Sequence, residues 1–237
     1  MGRLAFIPLL LLLIISCTGM PSIRDESPER RERILARCRE TSISRSCRFV
    51  HSIEADLQGN RKGFVIGISV ADPASRTLES AIMSLEGIVL FQARYARTVS
   101  VSRAIDLFSS PSFAQSMMKD IALIFFAPEN PPTAIGSSAE GSTCRFATGE
   151  ETLDIIWHPD GSWKKILYRN GKRVRSISAL SINERGFPAE IELEARGDYR
   201  YTLYLKLISA EYTTAGASAG KKPLSNNSRM LYSIHAG

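Results

Sequence analysis

The chain has few of the side chains that hold metals or perform catalysis. Its 3 histidines, His51, His158 and His235, lie far apart, and its 4 cysteines show no Cys-x-x-Cys spacing, with His51, four residues after Cys47, the one histidine near any of them. That excludes the usual zinc-binding arrangements. A lone histidine is more often a surface or hydrogen-bonded residue than a catalyst, and His51 is set apart only by Glu54 and Asp56 on the same stretch. No phosphate-cradling glycine loop and no dinucleotide fingerprint occurs. The spelling of a nucleophile elbow, Gly216-Ala217-Ser218-Ala219-Gly220, falls in an aperiodic stretch followed only by His235. The chemistry requires a strained strand-to-helix turn with an acid and a histidine behind it. Glu190, Glu192 and Glu194 share a strand face, a pattern that keeps a sheet soluble. After residue 17 no run is long and apolar enough to cross a bilayer, which takes ~20 residues. The expectation is a protein that is not an enzyme and carries no cofactor and no metal.

The most informative stretch is residues 1–17, MGRLAFIPLLLLLIISC. Arg3, roughly a dozen mostly apolar residues and a small residue before Cys17 have the layout of an export signal. Ile14-Ile15-Ser16-Cys17 resembles the lipobox of bacterial lipoproteins. The resemblance implies cleavage before Cys17, diacylglycerol on its sulfur and acylation of the new terminus. Two or more acyl chains hold a protein stably, at about 0.8 kcal/mol per buried methylene. Thr18 in place of Asp after the lipidated cysteine implies, by the same resemblance, sorting to the outer membrane, anchored by lipid and facing the periplasm. The expected organisation is a signal peptide over 1–16, a tether over 17–28, a folded domain over 29–212 and a disordered tail over 213–237.

The net charge is +6 and the pI about 9.3, but an exported chain meets little nucleic acid, and none is expected as a partner. Arg24, Arg30, Arg31, Arg33, Arg37, Arg39, Arg45 and Arg48 crowd the region after the anchor, interleaved with Asp25, Glu26, Glu29, Glu32 and Glu40. Two readings stay open: attraction to anionic headgroups, at up to about 1 kcal/mol per charge near the surface, or a solvated helix face of mixed charge. With Cys17 lipidated, Cys38, Cys47 and Cys144 remain, in a compartment where disulfides persist. A Cys38 to Cys47 bond would close a short loop between a helix end and the first strand. Cys144 is then left over, either buried or an alternative partner.

Residues 29–39 predict a short helix with a thin apolar stripe, Ile34, Leu35 and Cys38. The period then changes to two. Strands are predicted over 49–57, 64–70, 77–85, 88–95 and 98–105. In the second of these, Phe64, Ile66, Ile68 and Val70 alternate with Val65, Gly67 and Ser69. Ser110-Pro111 supplies an N-cap and a first-turn proline, opening a helix with a wide apolar arc that Pro128 stops. Residues 129–142 read as a long loop and a candidate mobile or functional segment. A second meander covers 143–148, 152–157, 163–169, 174–182, 189–195 and 199–207, with Asn170-Gly171 as a strong hairpin signal.

About ten strands at ~4.8 Å each make a sheet ~48 Å across, whereas a helix covers ~10–12 Å. The surplus apolar face must curl, pack or take a ligand. The predicted fold class is mainly β with helices: a curved antiparallel sheet, or incomplete β-barrel, of about ten strands with a helical lid. The order of strands, Ser110-Pro111 helix, proline-rich loop and strands bearing Trp157, Trp163 and Asn170-Gly171 resembles the bacterial lipoprotein-localisation carriers and receptors of LolA/LolB type, especially the lipid-anchored members. The resemblance covers roughly 47–212. It implies binding of acyl chains of lipoproteins or lipids in outer-membrane trafficking, with acylated protein or lipid as cargo and a soluble periplasmic carrier as a further partner. The lining expected for an acyl-chain cavity is Phe64, Ile66, Ile68, Val89, Phe91, Met117, Ile121, Phe125, Ile191, Leu193, Leu203 and Leu205. In that scheme the helix over 111–126 and the loop over 129–142 cover the face until cargo displaces them. The alternative is a non-catalytic structural or assembly lipoprotein that docks other envelope proteins.

Overall fold

Alternating and amphipathic stretches adopt the forms their periods predict in the computed structural model of the chain, which describes residues 20–57, 61–197 and 199–213. The expected signal peptide, the lipid site at Cys17, and the tail with Ser218 and His235 lie outside those residues. In chain order the elements are β1 (Arg24–Asp25), α1 (Pro28–Glu40), β2 (Cys47–Leu57), β3 (Arg61–Asp72), β4 (Thr77–Met83), β5 (Val89–Tyr95) and β6 (Val99–Ala104). They continue with α2 (Pro111–Phe125), β7 (Ala134–Ser137), β8 (Ser142–Thr148), β9 (Glu151–Trp157), β10 (Trp163–Arg169), β11 (Lys172–Ile182), β12 (Pro188–Ala195) and β13 (Tyr201–Tyr212).

Among the described residues the fold is mainly β, antiparallel, with two α-helices, and their strand order has two ends, β1 and β6, so it does not close on itself. The residues divide into two compact units. The first holds residues up to 41, 56–61 and 128–204; the second holds 42–55, 62–127 and 205 onwards. In the first unit the order is β1-β7-β8-β9-β10-β11-β12-β13, and in the second β13-β2-β3-β4-β5-β6. The hairpin expected at Asn170-Gly171 joins β10 to β11, with both residues at positive φ, 51° and 74°, as a two-residue type I′ turn requires.

Local signals set the helix boundaries. Ser27 Oγ accepts from Arg30 N–H at 3.4 Å, and Pro28 opens α1. Ser110 Oγ accepts from Phe113 N–H at 3.4 Å, and Pro111 opens α2. The buried stripe of α2 includes Phe113, Met117, Met118, Ile124 and Phe125.

The stretch over 129–142 is not a free loop. Within it β7 pairs with β8, and on its other side β1 pairs with β7 through Arg24↔Ser137 and Asp25↔Gly136. The tether expected over 17–28 is therefore docked from at least residue 21: Pro21 carbonyl accepts from Arg145 Nη2 at 2.8 Å, and Glu26 Oε1 accepts from Ser137 Oγ at 2.6 Å. Gly136 makes the docking possible, since a Cβ there would overlap the Arg24 carbonyl and stand 2.9 Å from Ile23 Cγ2. Paired segments this short carry no readable period, so composition alone labels them loop.

The disulfide is also corrected. Cys38 is bonded to Cys144, and Cys47 is a buried thiol outside the disulfide. Ile34 and Cys38 sit one turn apart on α1, which packs on β8 and β9, where Cys144 pairs across the sheet with Ile155. The helix axis, not the short sequence gap, decides where the Cys38 side chain points. Cys47 opens β2 in the second unit, and the approach to it is committed elsewhere: Ile43 N–H donates to the Phe125 carbonyl at 3.0 Å.

Two outcomes follow. Replacing Cys144 with Ala should cost about 2–5 kcal/mol in denaturant unfolding, since the bond closes a loop across a separation of 106 residues, whereas Cys47→Ala should leave the cross-link intact, seen by mass spectrometry as the same gain of hydrogen on reduction as in the parent chain. Gly136→Ala should expel β1, seen as faster amide exchange or new proteolysis over residues 21–26 with the β8–β12 amides unchanged.

Candidate functional site

The twelve residues expected to line one cavity are distributed over both units and over buried and open positions. Phe91, Met117, Phe125 and Leu205 are packed core of the second unit, each under 10% exposed. Ile191 and Leu193 are core of the first, paired with Ala179 and Ile177 on β11. Leu203, Ile121 and Val89 are half-buried. The other three stand together on β3 and are open to solvent: Phe64 is 57% exposed, and Ile66 and Ile68 are half-buried.

The reason lies in how α2 seats on the second unit. Phe125 stacks on Phe49 with ring centroids 4.6 Å apart, and β5 and β6 lie against the same helix. Beneath it β3 and β4 present Gly67, Ser69, Ala71 and Ser80, with Leu78 and Ile82, and β5 presents Phe91 and Ala93; all are buried. Cross-strand pairs Gly67↔Ile82, Ser69↔Ser80 and Ala71↔Leu78 put these on one face. A Cβ on Gly67 would stand 2.6 Å from Ile53 Cδ1, so the tip of that side chain would have to turn aside. Since side chains alternate along a strand, the large residues of β3 point to the opposite face. There Ile66 pairs with Met83 and Ile68 with Ala81.

Where β4 turns into β5 the apolar row continues. The tight turn is closed by Ser84 N–H to the Ile88 carbonyl at 2.9 Å and Gly87 N–H to the Ser84 carbonyl at 3.0 Å. It leaves Leu85 66% and Ile88 54% exposed. The β3–β4 ladder ends at Ile66↔Met83, with Phe64 at the open end of β3 and Leu85 in the turn that follows β4. Large apolar side chains exposed singly are ordinary, but a contiguous patch of them marks an interaction surface. Leu85 and Ile88 escape sequence reasoning because they sit beside a Glu86-Gly87 turn, where polarity is the usual rule.

The first unit holds a groove of about 580 Å3. One wall is the α1 face bearing Arg30, Arg33 and Arg37 with Ile34 at its base; the other is the β7–β8 turn and the end of β9 at Trp157 and His158. None of the twelve expected residues lines it. Arg37 lies over the Trp157 ring at 5.7 Å, and Trp157 Nε1 is buried without a hydrogen-bond partner among the described residues. His158 Nδ1–H donates to the Glu140 carbonyl at 2.8 Å, and the Glu140 carboxylate faces Lys164 at 3.8 Å. Arg30 faces Glu26 at 3.4 Å.

Two buried bases stay inside the units. Lys165 is fully buried on β10, its Nζ 5.2 Å from the Trp163 ring centroid, and burial lowers its pKa to about 7. His51 lies between Phe49 and Phe125, centroids 6.1 and 6.5 Å away, and burial lowers its pKa to about 4. At neutral pH His51 is an uncharged packing residue of the second unit.

No protein-family model matches the chain, and no curated protein matches it. Among solved structures it is similar to a LolA superfamily protein from Nitrosomonas europaea, at 12% identity over 78% of this chain and 94% of that one, with a TM-score of 0.48. It is similar also to a DUF1329 family protein from Desulfovibrio piger, at 10% identity over 79% of this chain and 93% of that one, TM-score 0.36. A third similar structure is MucB, at 10% identity over 80% of this chain and 61% of that one, TM-score 0.31.

The state of His51 sets an acid limit. Its unfolded form takes up a proton near pH 6.5 and its folded form only near 4, so the unfolded chain holds more protons between these values and stability falls as pH drops through that window. The loss should reach roughly 3 kcal/mol by pH 4, measured by denaturant unfolding across the window, and a His51→Gln variant should lack that component of the slope.

Proposed function

We propose that this chain is a lipid-anchored protein of the bacterial envelope, facing the periplasm, whose second unit binds acyl chains of lipoproteins or lipids in outer-membrane trafficking. The observation that carries the reading is the open apolar row of Phe64, Ile66, Ile68, Met83, Leu85 and Ile88. The lipobox spelling Ile14-Ile15-Ser16-Cys17 supports the anchor, and the Cys38–Cys144 bond suits an oxidising compartment. Acyl chains laid along this row would bury methylenes at about 0.8 kcal/mol each. The row lies opposite the α2 face, so loading it requires no displacement of the helix.

A second reading, a scaffold that docks other envelope proteins, is favoured by β6. It ends the strand order, is mostly exposed and, among the described residues, has no strand on its outer edge, which suits strand addition.

Titration of the full chain, in maltoside micelles below saturating detergent, with a fluorescent fatty acid separates the two. Saturable binding, weakened at least tenfold by Ile66→Lys combined with Leu85→Ser and unaffected by Ser102→Lys on β6, is the expected result. Absence of saturable binding, or binding indifferent to the double substitution, would overturn the acyl-chain reading in favour of the scaffold.

A further inference from the structure

The structure assigns a second binding site, for a phosphate group, to the α1 groove of the first unit. This stands on the first unit alone and is independent of the acyl-chain reading. Arg30, Arg33 and Arg37 recur at three- and four-residue spacing, which on a helix puts them on one face with neighbouring Cβ atoms about 5–6 Å apart. The buried contact of Ile34 with the sheet turns that face toward the groove. Among the described residues no carboxylate stands within ion-pairing distance of Arg33 or Arg37, while the groove's own carboxylate, Glu140, is held by Lys164. The groove thus has a cationic wall in which Arg33, near Glu29 on the same helix, and Arg37, over the Trp157 ring, carry guanidinium forks of the kind that match phosphate oxygens in pairs.

The opposite wall adds donors. Ser142 lines it, and the Trp157 indole N–H is buried there without a partner among the described residues. A buried donor left unpaired costs free energy unless a ligand or water completes it. Gly141 lets the β7–β8 turn close against the Trp157 carbonyl, where any Cβ would overlap it. A volume of about 580 Å3 exceeds a lone phosphate and lies in the range of small-molecule sites. Ile34 and the Trp157 ring supply an apolar floor for whatever bears the phosphate. That group is either free in solution or part of a lipid headgroup, since the chemistry recognised is the same.

The test is calorimetric titration of the full chain in maltoside micelles. One arm adds inorganic phosphate; the other adds mixed micelles containing phosphatidylglycerol, against micelles containing uncharged diacylglycerol. The proposal expects saturable, one-to-one binding in at least one arm, weakened tenfold or more by Arg33→Ala with Arg37→Ala and unchanged by Arg39→Ala, on the same helix but outside the groove. Arg33→Lys with Arg37→Lys, which keeps charge and helix propensity, should show an intermediate loss and guards against misfolding of the alanine pair. A response to inorganic phosphate identifies a free phosphate ligand; a response to phosphatidylglycerol alone identifies a headgroup. Absence of saturable binding in both arms, or an equal loss in Arg39→Ala, would mean bulk attraction by a basic surface and would overturn the site.

Discussion

Room beneath α2 is the constraint on which the second unit depends. The helix brings Phe113, Met117, Met118 and Phe125 to the sheet, and Phe125 must reach Phe49. Interiors are filled to crystal-like density, so bulk on the helix requires its lack on the strands, and Gly67, Ser69, Ala71, Ser80 and Ala93 provide it. Once the small residues of β3 face the helix, the two-residue period leaves Phe64, Ile66 and Ile68 no choice but the other side. The open apolar row is thus a consequence of good packing on the opposite face.

This explains which parts of the fold were legible in the sequence. Strand periods, the Asn170-Gly171 turn and the Ser110-Pro111 helix start are local, and they appear where the residues imply. The inward face of β3 is not local. Hydrophobicity alone favours Phe64 to Val70 as the inner side, but the choice between faces is made by the shape of α2. Lys165 misleads for a related reason: in Lys164-Lys165 alternation must send one lysine inward, and a long apolar stem under the Trp163 ring makes that tolerable once its charge is weakened. The Arg33–Arg37 spacing was visible, but the groove that gives it meaning depends on β7, whose four residues lie hidden in a stretch rich in Pro, Gly and Ser.

The first unit is organised around charge as well as bulk. Asp154 is wholly buried, yet it faces the Arg145 guanidinium through two hydrogen bonds of 2.7 Å, and this pairing holds Arg145 above its ordinary pKa. Such a pair adds little net stability but is costly to break, because the survivor is left desolvated. The same guanidinium reaches the Pro21 carbonyl, so the pair also fastens the segment that leads into β1.

The order of the cysteines along the chain has a consequence for its maturation. Synthesis proceeds from the N-terminus, so Cys47 emerges shortly after Cys38, whereas Cys144 follows 106 residues behind Cys38. An oxidant that simply joins neighbours as they appear would produce the wrong couple, and correcting it requires a late thiolate to attack an existing bond. One of the two strands beside β2, β13, is made after Cys144, so Cys47 is not walled in before its rival arrives, and this chain suits a cell that proofreads its cross-links rather than one that merely makes them.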